Sequence, residues 1–165
     1  MTAHAIPSPL SLAQLVEWTS CVAEDVRAGH YAVEADADQR WHVRLHRDDQ
    51  IDIWLISWVP DHSTELHDHG GSLGALTLLS GALDEFRWDG ETLRRRRLEA
   101  GDQAAFPLGW VHDVVWAPTP SITVPGPTLS VHAYSPPLTA MSYYDVTSRN
   151  TLRRSRTELT DGPEG

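Results

Sequence analysis

The sequence predicts a mainly β fold that is preceded by one α-helix. Three observations predict it: one long amphipathic segment near the N-terminus, short apolar runs rich in β-branched and aromatic residues after about residue 40, and turn signals between these runs. Strands that recur about every 8–12 residues are typical of a β-sandwich or a β-barrel. Because the 165 residues show no linker and no internal repeat, we expect one domain over residues 1–165.

The helix is predicted over residues 8–28. Ser11 and Gln14 have the spacing of a capping box, in which each side chain satisfies a backbone N–H group of the other residue. Gly29 is suited to the end of the helix, because glycine readily adopts the left-handed conformation found there. The apolar residues that recur at helical spacing are Leu12, Leu15, Val16, Val22 and Val26.

The strands are predicted between residues 40 and 145. In chain order, the clearest runs are Gln50–Val59, Gly74–Ser80, Leu83–Trp88, Thr92–Leu98, Ala104–Phe106, Val111–Trp116 and Thr128–Tyr134. Four prolines between residues 118 and 127 predict a loop before the last of these runs. Residues 146–165 are polar and charged, so we expect a partly frayed C-terminal tail.

The composition excludes several functional classes. Thirteen arginines, no lysine and 23 acidic residues give a net charge of −10, and an acidic surface repels nucleic acids and anionic membranes. No apolar run is long enough to span a membrane, and the N-terminus lacks the pattern of a secretory signal, so we expect a cytoplasmic protein. We also expect a monomer. Cys21 is the single cysteine, which excludes an intramolecular disulfide and a multi-cysteine metal site.

The arginine run at residues 94–97 is interpreted as a solvated strand face. Alternate residues of a strand point to opposite sides, so only half of these arginines can share one surface. We therefore predict no function for this run.

The pair His67 and His69 is the first sign of a metal site. On a strand, residues i and i+2 point to the same face, so both imidazoles can converge on one point. Neutral imidazoles bind Fe, Zn, Cu or Ni. The pair alone is weak evidence, because two histidines on one face are often ordinary surface or core residues.

The context of this pair is more specific. Four residues separate His69 from Gly74, and six more precede Gly81; downstream, Gly101, Pro107, Gly109 and His112 are separated by five, one and two residues. These spacings resemble the two conserved segments of the cupin superfamily. The resemblance implies a small, jelly-roll-like β-barrel in which His67, His69 and His112 bind a metal. It also places Gly74 where most cupins have a carboxylate ligand.

A segment near the C-terminus resembles a narrower family. Ser130-Val131-His132-Ala133-Tyr134-Ser135-Pro136-Pro137 is similar to the SxHxYSPP segment of the cysteine dioxygenases. In that family a non-haem Fe(II) binds a thiol and O2, and both oxygen atoms are transferred to sulfur. The resemblance implies catalytic roles for Ser130, His132 and Tyr134, which share one strand face, and a cis peptide bond before Pro136.

The resemblance also implies an arginine for the substrate carboxylate. Arg44 is the predicted residue, with Arg40 and Arg47 as alternatives, because a guanidinium group pairs with a carboxylate through two hydrogen bonds. Related enzymes that oxidise 3-mercaptopropionate have glutamine at the corresponding position, so an arginine favours cysteine. The tyrosine cross-link of mammalian members is not expected, since Gly74 stands at the position of the cross-linked cysteine and Cys21 lies in the predicted helix.

The sequence therefore predicts a thiol dioxygenase that oxidises L-cysteine with O2 at a three-histidine Fe(II) site. Three alternatives stay open: a 3-mercaptopropionate dioxygenase, a different cupin enzyme such as an isomerase, and a small-molecule-binding cupin without catalysis. Because cupin folds host all of these, the fold alone does not decide between them.

Overall fold

The computed structural model describes residues 9–33, 38–119 and 126–165. In this part of the chain the elements are α1 (Leu12–Arg27), β1 (His42–Arg47), β2 (Asp52–Trp58), β3 (Leu73–Ser80), β4 (Ala82–Trp88), β5 (Leu93–Glu99), β6 (Gln103–Phe106), β7 (His112–Ala117), β8 (Thr128–Ser135), β9 (Ala140–Val146) and β10 (Leu152–Leu159). The helix is not long and apolar enough to cross a membrane. Residues 1–8 and part of the predicted proline loop, at 120–125, lie outside the described residues. The helix was predicted from residue 8, but residues 9–11 are not helical and α1 begins at Leu12.

The start of α1 confirms the predicted capping box. The Ser11 side chain accepts a hydrogen bond from the Gln14 backbone N–H at 3.2 Å, and the Gln14 side chain accepts one from the Ser11 N–H at 2.8 Å. The helix ends at Arg27, and Gly29 follows with a φ of +79°. Because only glycine adopts this conformation without strain, Gly29 lets the chain turn away at this point.

The strands form three antiparallel sheets. The largest has the order β1-β2-β8-β3-β6, a second has the order β5-β4-β7, and β9 pairs with β10. Isolated bridges connect the loop before β3 with β7 and β9. The predicted mainly β fold with an N-terminal helix is confirmed, whereas the described sheets are not closed into one continuous barrel.

The five-stranded sheet separates two apolar clusters. On one face Ile53 and Leu55 of β2 pack with Leu15 and Val22 of α1. Trp54, Ile56 and Trp58 alternate with them and belong to the cluster on the other face, which includes Phe106 and Tyr134. All seven residues of β2 are buried, because both faces of the sheet are covered. The helix thus closes one side of the sheet and leaves the opposite side for the histidines.

The C-terminal residues correct the expectation of a frayed tail. β10 pairs with β9 along its length, and Thr160 donates a backbone hydrogen bond to Thr139 at 2.9 Å. Seven of the eight β10 side chains are exposed, so the strand is held by its backbone and its sequence lacks the apolar alternation of a half-buried strand. Beyond it, Pro163 and Glu164 are buried.

Candidate metal centre

Three histidines meet inside the fold, on the side of the large sheet away from α1. His67 and His69 lie in the loop between β2 and β3, rather than on the strand that the sequence predicted, and His112 begins β7. His67 and His112 exchange backbone hydrogen bonds of 2.9 and 3.0 Å, and His67 also bridges to Tyr143 of β9. This pairing holds the loop extended, so the side chains of His67 and His69 converge.

The imidazole nitrogens converge on a carboxylate from the C-terminus. Glu164 Oε2 lies 2.6 Å from His67 Nε2, 3.2 Å from His69 Nε2 and 2.8 Å from His112 Nε2. The ligand atoms of all four residues lie within 4.8 Å of one another. The Nε2 atoms of His69 and His112 are 3.3 Å apart, close to the spacing of about 3 Å between neighbouring ligands at 2.0–2.1 Å from one metal ion.

This donor set fits a transition metal. Three imidazoles and one carboxylate, all buried, match the ligand preferences of Fe, Zn, Ni and Cu. The ring of His67 is oriented by its Nδ1 atom, which lies 2.8 Å from the backbone oxygen of Glu65. The ring of His112 is also held through Nδ1, by Glu85. Both rings therefore present Nε2 to the centre of the cluster.

A second carboxylate holds His112. Glu85 Oε2, on β4, lies 2.7 Å from His112 Nδ1, and Glu85 Oε1 accepts a hydrogen bond of 2.8 Å from Arg96. Burial raises the pKa of the Glu85 carboxyl, but His112 and Arg96 outweigh this effect and lower it overall. Carboxylates in this position fix the ring orientation of metal-binding histidines. Arg96, from the run to which we assigned no function, therefore contacts the residue that orients His112.

Burial and the neighbouring carboxylates shift the pKa values of His69 and His112 in opposite directions. Burial lowers the pKa of His69 to about 4. Burial also lowers the pKa of His112, but Glu164 and Glu85 outweigh it and raise the value to about 9. Burial raises the pKa of Glu164, yet the surrounding histidines bring it well below the usual range. Glu164 is thus held as a carboxylate in a fully enclosed position.

Ser130, His132 and Tyr134 share one face of β8, as the alternation predicts. Ser130 Oγ lies 3.0 Å from His132 Nδ1 and accepts a hydrogen bond of 2.8 Å from Trp58 Nε1. The Tyr134 hydroxyl donates to Glu164 Oε1 at 3.0 Å, and His132 Nε2 lies 3.2 Å from the same oxygen. Glu164 Oε1 is therefore within reach of both side chains. The Ser135–Pro136 bond is cis, as the resemblance implies.

The three candidate arginines lie in different surroundings. Arg40 extends toward the site: its guanidinium lies 4.3 Å from the centre of the Trp58 ring and donates hydrogen bonds to the backbone oxygens of Ser57 and Glu164 at 2.9 and 2.8 Å. Arg44 instead stacks on Trp54 and donates to the Asp161 backbone oxygen at 2.9 Å, at an exposed position. Arg47 is exposed. The structure thus places Arg40, rather than the predicted Arg44, against the backbone of Glu164, whose carboxylate lies among the histidines.

Gly74 lies beside the site in tight surroundings. A Cβ atom there would lie 3.0 Å from Phe106 Cδ2 and 3.4 Å from Tyr134 Cδ1. A side chain at this position would therefore require the Phe106 ring to shift by a few tenths of an ångström. Cys21 is exposed on α1, on the opposite side of the sheet.

Sequence reasoning missed Glu164, Glu85 and Trp58. Glu164 follows residues that carry no recognisable motif. Glu85 is a charged residue within β4, and its sequence neighbours do not indicate that it lies against His112. Trp58 was predicted only as a strand residue. The one usable signal was the abundance of tryptophan, seven in 165 residues, which gave no indication of position.

Comparisons with known proteins concern the family and the fold of the chain. A family model described as cysteine dioxygenase type I matches residues 13–147. Among solved structures, the chain is similar to KdgF from Halomonas sp. (14% identity, TM-score 0.50, 66% of this chain and 90% of that chain covered) and to a protein from Bacillus halodurans (15%, 0.53, 83% and 87%). An RmlC-like cupin family protein with a double-stranded β-helix fold from Methanocaldococcus jannaschii matches at 13% identity with a TM-score of 0.52, covering 64% and 88%. At these identities the solved structures show the shared cupin fold.

Proposed function

Because the chain belongs to the cysteine dioxygenase type I family, we propose that it oxidises L-cysteine with O2 to cysteine sulfinate at an Fe(II) bound by His67, His69 and His112. The observation that carries the proposal is the convergence of three buried Nε2 atoms beside Tyr134 and Arg40. When bound, Fe(II) supplies the coordination positions at which a thiolate and O2 meet. The three imidazoles themselves bring no negative charge to the metal, which favours an anionic thiolate as a further ligand.

Arg40 is the proposed partner of the substrate carboxylate, in place of Arg44. Its guanidinium already holds a carbonyl oxygen at the site, and the Trp58 ring beneath it limits its orientations. Burial lowers the pKa of Arg40 to about 10, so the group remains charged at neutral pH. An ion pair in such a partly enclosed site is screened less by salt than an exposed one.

Tyr134 is the proposed hydrogen-bond donor to the reacting groups. Burial raises the pKa of its hydroxyl well above 10, so the hydroxyl keeps its proton at neutral pH. His132 lies on the same strand face, and Ser130 and Trp58 fix its ring through a chain of hydrogen bonds. We propose that His132 and Ser130 act by positioning, since the Tyr134 ring packs against that of His69, with 5.6 Å between the ring centres.

The experiment that tests the function is oxygen consumption by Fe(II)-loaded protein, with L-cysteine and 3-mercaptopropionate in parallel and sulfinate measured at the end. We expect uptake with L-cysteine and about one O2 for each sulfinate. Preference for 3-mercaptopropionate would retain the reaction but overturn the substrate. No uptake with either thiol, despite full iron loading, would overturn the proposed function.

Two arginine variants form a matched pair for the substrate carboxylate. Arg40→Gln and Arg44→Gln each remove a guanidinium stacked on a tryptophan, at 4.3 and 4.4 Å from the ring centre. We expect KM for L-cysteine to rise at least about tenfold in Arg40→Gln, because the variant loses roughly one charge-assisted hydrogen bond to the substrate carboxylate. Arg44→Gln should not raise it. The reverse order would assign the carboxylate to Arg44.

A further inference from the structure

The residues 160–165, here called the terminal segment, enter the candidate site from the end of β10. Glu164 is fully buried, and its carboxylate reaches His67, His69, His112, His132 and Tyr134 within 2.6–3.2 Å. Its backbone N–H also donates to the Tyr134 hydroxyl oxygen at 3.2 Å. A glutamate with this many partners is an integral part of the site and is not a loosely placed end of the chain.

The terminal segment is held along its whole length. Thr160 pairs with Thr139, Arg44 binds the Asp161 backbone oxygen at 2.9 Å, and Arg40 binds that of Glu164 at 2.8 Å. Gly165 lies against the Arg40 guanidinium, where any Cβ atom would overlap with it. The predicted substrate arginine, Arg44, thus contacts the segment and has no direct contact with the histidines.

The contacts of Glu164 match those required of a small amino-acid substrate. One residue presents a metal-binding anion to the three histidines and a carbonyl oxygen to Arg40. The Glu164 carboxylate and a chelating thiol therefore compete for the same enclosed space. Because Oε2 lies at the point where the three Nε2 atoms converge, a bound metal and this oxygen cannot share that point, and the carboxylate must become a ligand of the metal or withdraw.

We propose that the terminal segment is an internal, displaceable ligand of the metal centre. Glu164 occupies a coordination position that a substrate takes only after the segment has withdrawn, and Arg40 exchanges its bond to the segment for one to the substrate carboxylate. This inference rests on the proposed function for the identity of the substrate. The terminal segment limits access to the metal. A ligand that binds only when the segment has withdrawn has an apparent Kd equal to its intrinsic Kd divided by the fraction of molecules in that open state.

The test uses azide, a small anion that binds an accessible metal position without thiol chemistry. Azide is titrated into the Co(II)-loaded full chain, and the visible absorption of Co(II) reports binding. If about one tenth of the molecules are open, Glu164→Ala and Glu164→Gln should each bind azide about tenfold more tightly than the unmodified protein. Glu158→Ala, an exposed glutamate on β10, is the matched control and should leave the azide Kd unchanged.

A third variant separates displacement from a local effect on the metal. Arg44→Gln leaves the histidines and Glu164 intact but removes the bond to Asp161, which is exposed, so a tightening of about two- to threefold is expected. An unchanged azide Kd in both Glu164 variants would overturn the inference. Loss of Co(II) from both variants, with the fold retained by circular dichroism, would also overturn it, because Glu164 would then be a permanent ligand.

The outcome is independent of the proposed function. Azide binding requires neither a thiol nor turnover, so a protein that oxidises no thiol can still show the tightening. Conversely, a protein that forms sulfinate while its azide Kd is insensitive to Glu164 would retain the proposed function and lose this inference.

Discussion

Glu85→Gln tests how a residue that holds His112 contributes to metal affinity. The Glu85 carboxylate is almost fully buried, lies 2.7 Å from His112 Nδ1, and receives a hydrogen bond of 2.8 Å from Arg96. Glutamine conserves the shape but removes the charge. Its amide oxygen can still accept from His112, but its NH2 group then faces the Arg96 guanidinium, which is also a donor.

The expected magnitude follows from these contacts. Removing the carboxylate partner of a metal-binding histidine weakens metal affinity by about 10–100-fold, which is roughly 1.4–2.7 kcal/mol. The Arg96 side chain is half-exposed and becomes hydrated when Glu85 is replaced, so the loss of this ion pair adds little to the change in metal affinity. For the same reason Arg96→Gln should weaken metal affinity only about two- to threefold.

The assay is a Co(II) competition titration against a chromophoric chelator, on the unmodified protein, Glu85→Gln, Arg96→Gln and a control. Glu99→Gln is the control, since Glu99 lies on the same β-hairpin with a largely exposed side chain. Circular dichroism checks that each variant retains its strands. Equal Co(II) affinity in Glu85→Gln and Glu99→Gln would refute the assignment of Glu85 as the residue that orients His112.

Three further predictions concern the ligands, the helix and the buried phenol. His67→Ala should abolish stoichiometric iron binding, measured by metal analysis after gel filtration, and full iron retention would refute its role as a ligand. Ser11→Ala should lower the free energy of unfolding by about 1 kcal/mol, measured by urea denaturation, because the capping box is lost; an unchanged midpoint would contradict this. The pKa of Tyr134 is raised by burial, so the folded metal-free protein keeps this proton while the unfolded chain releases it near pH 10. Stability should therefore fall as pH rises above about 10, and the tyrosinate absorbance of the protein and of Tyr134→Phe should coincide up to about pH 11.

The local features of the fold were predictable from the sequence because they depend only on the regular side-chain spacing of helices and strands. The capping box of Ser11 and Gln14 needs only neighbouring residues, and the alternation of β8 places Ser130, His132 and Tyr134 on one face whatever surrounds it. The spacing around the histidines indicated the cupin superfamily, and the segment at residues 130–137 indicated the family, before any contact was known. Even so, His67 and His69 converge through pairing with β7 and β9, and not through a strand of their own.

The remaining site residues depended on contacts between distant parts of the chain. Glu164 is 97 residues from His67, and Glu85 is 27 from His112, so no local pattern relates them. The polar sequence of β10 resembles a frayed tail because its side chains face solvent while its backbone pairs with β9.

The sequence by itself determined the fold class and the helix cap, because both depend on spacing within single elements. The histidine set was implied by the resemblance to the cupins. Only the tertiary structure shows that Arg40 binds the backbone oxygen of Glu164 while Arg44 binds that of Asp161, and that the Glu164 carboxylate lies among the histidines. Arg40 and Arg44 are only four positions apart in the sequence, so both were plausible before any contact was known. Trp58 and Trp54 beneath them, together with the path of the terminal segment, direct one guanidinium to the site and the other to the surface.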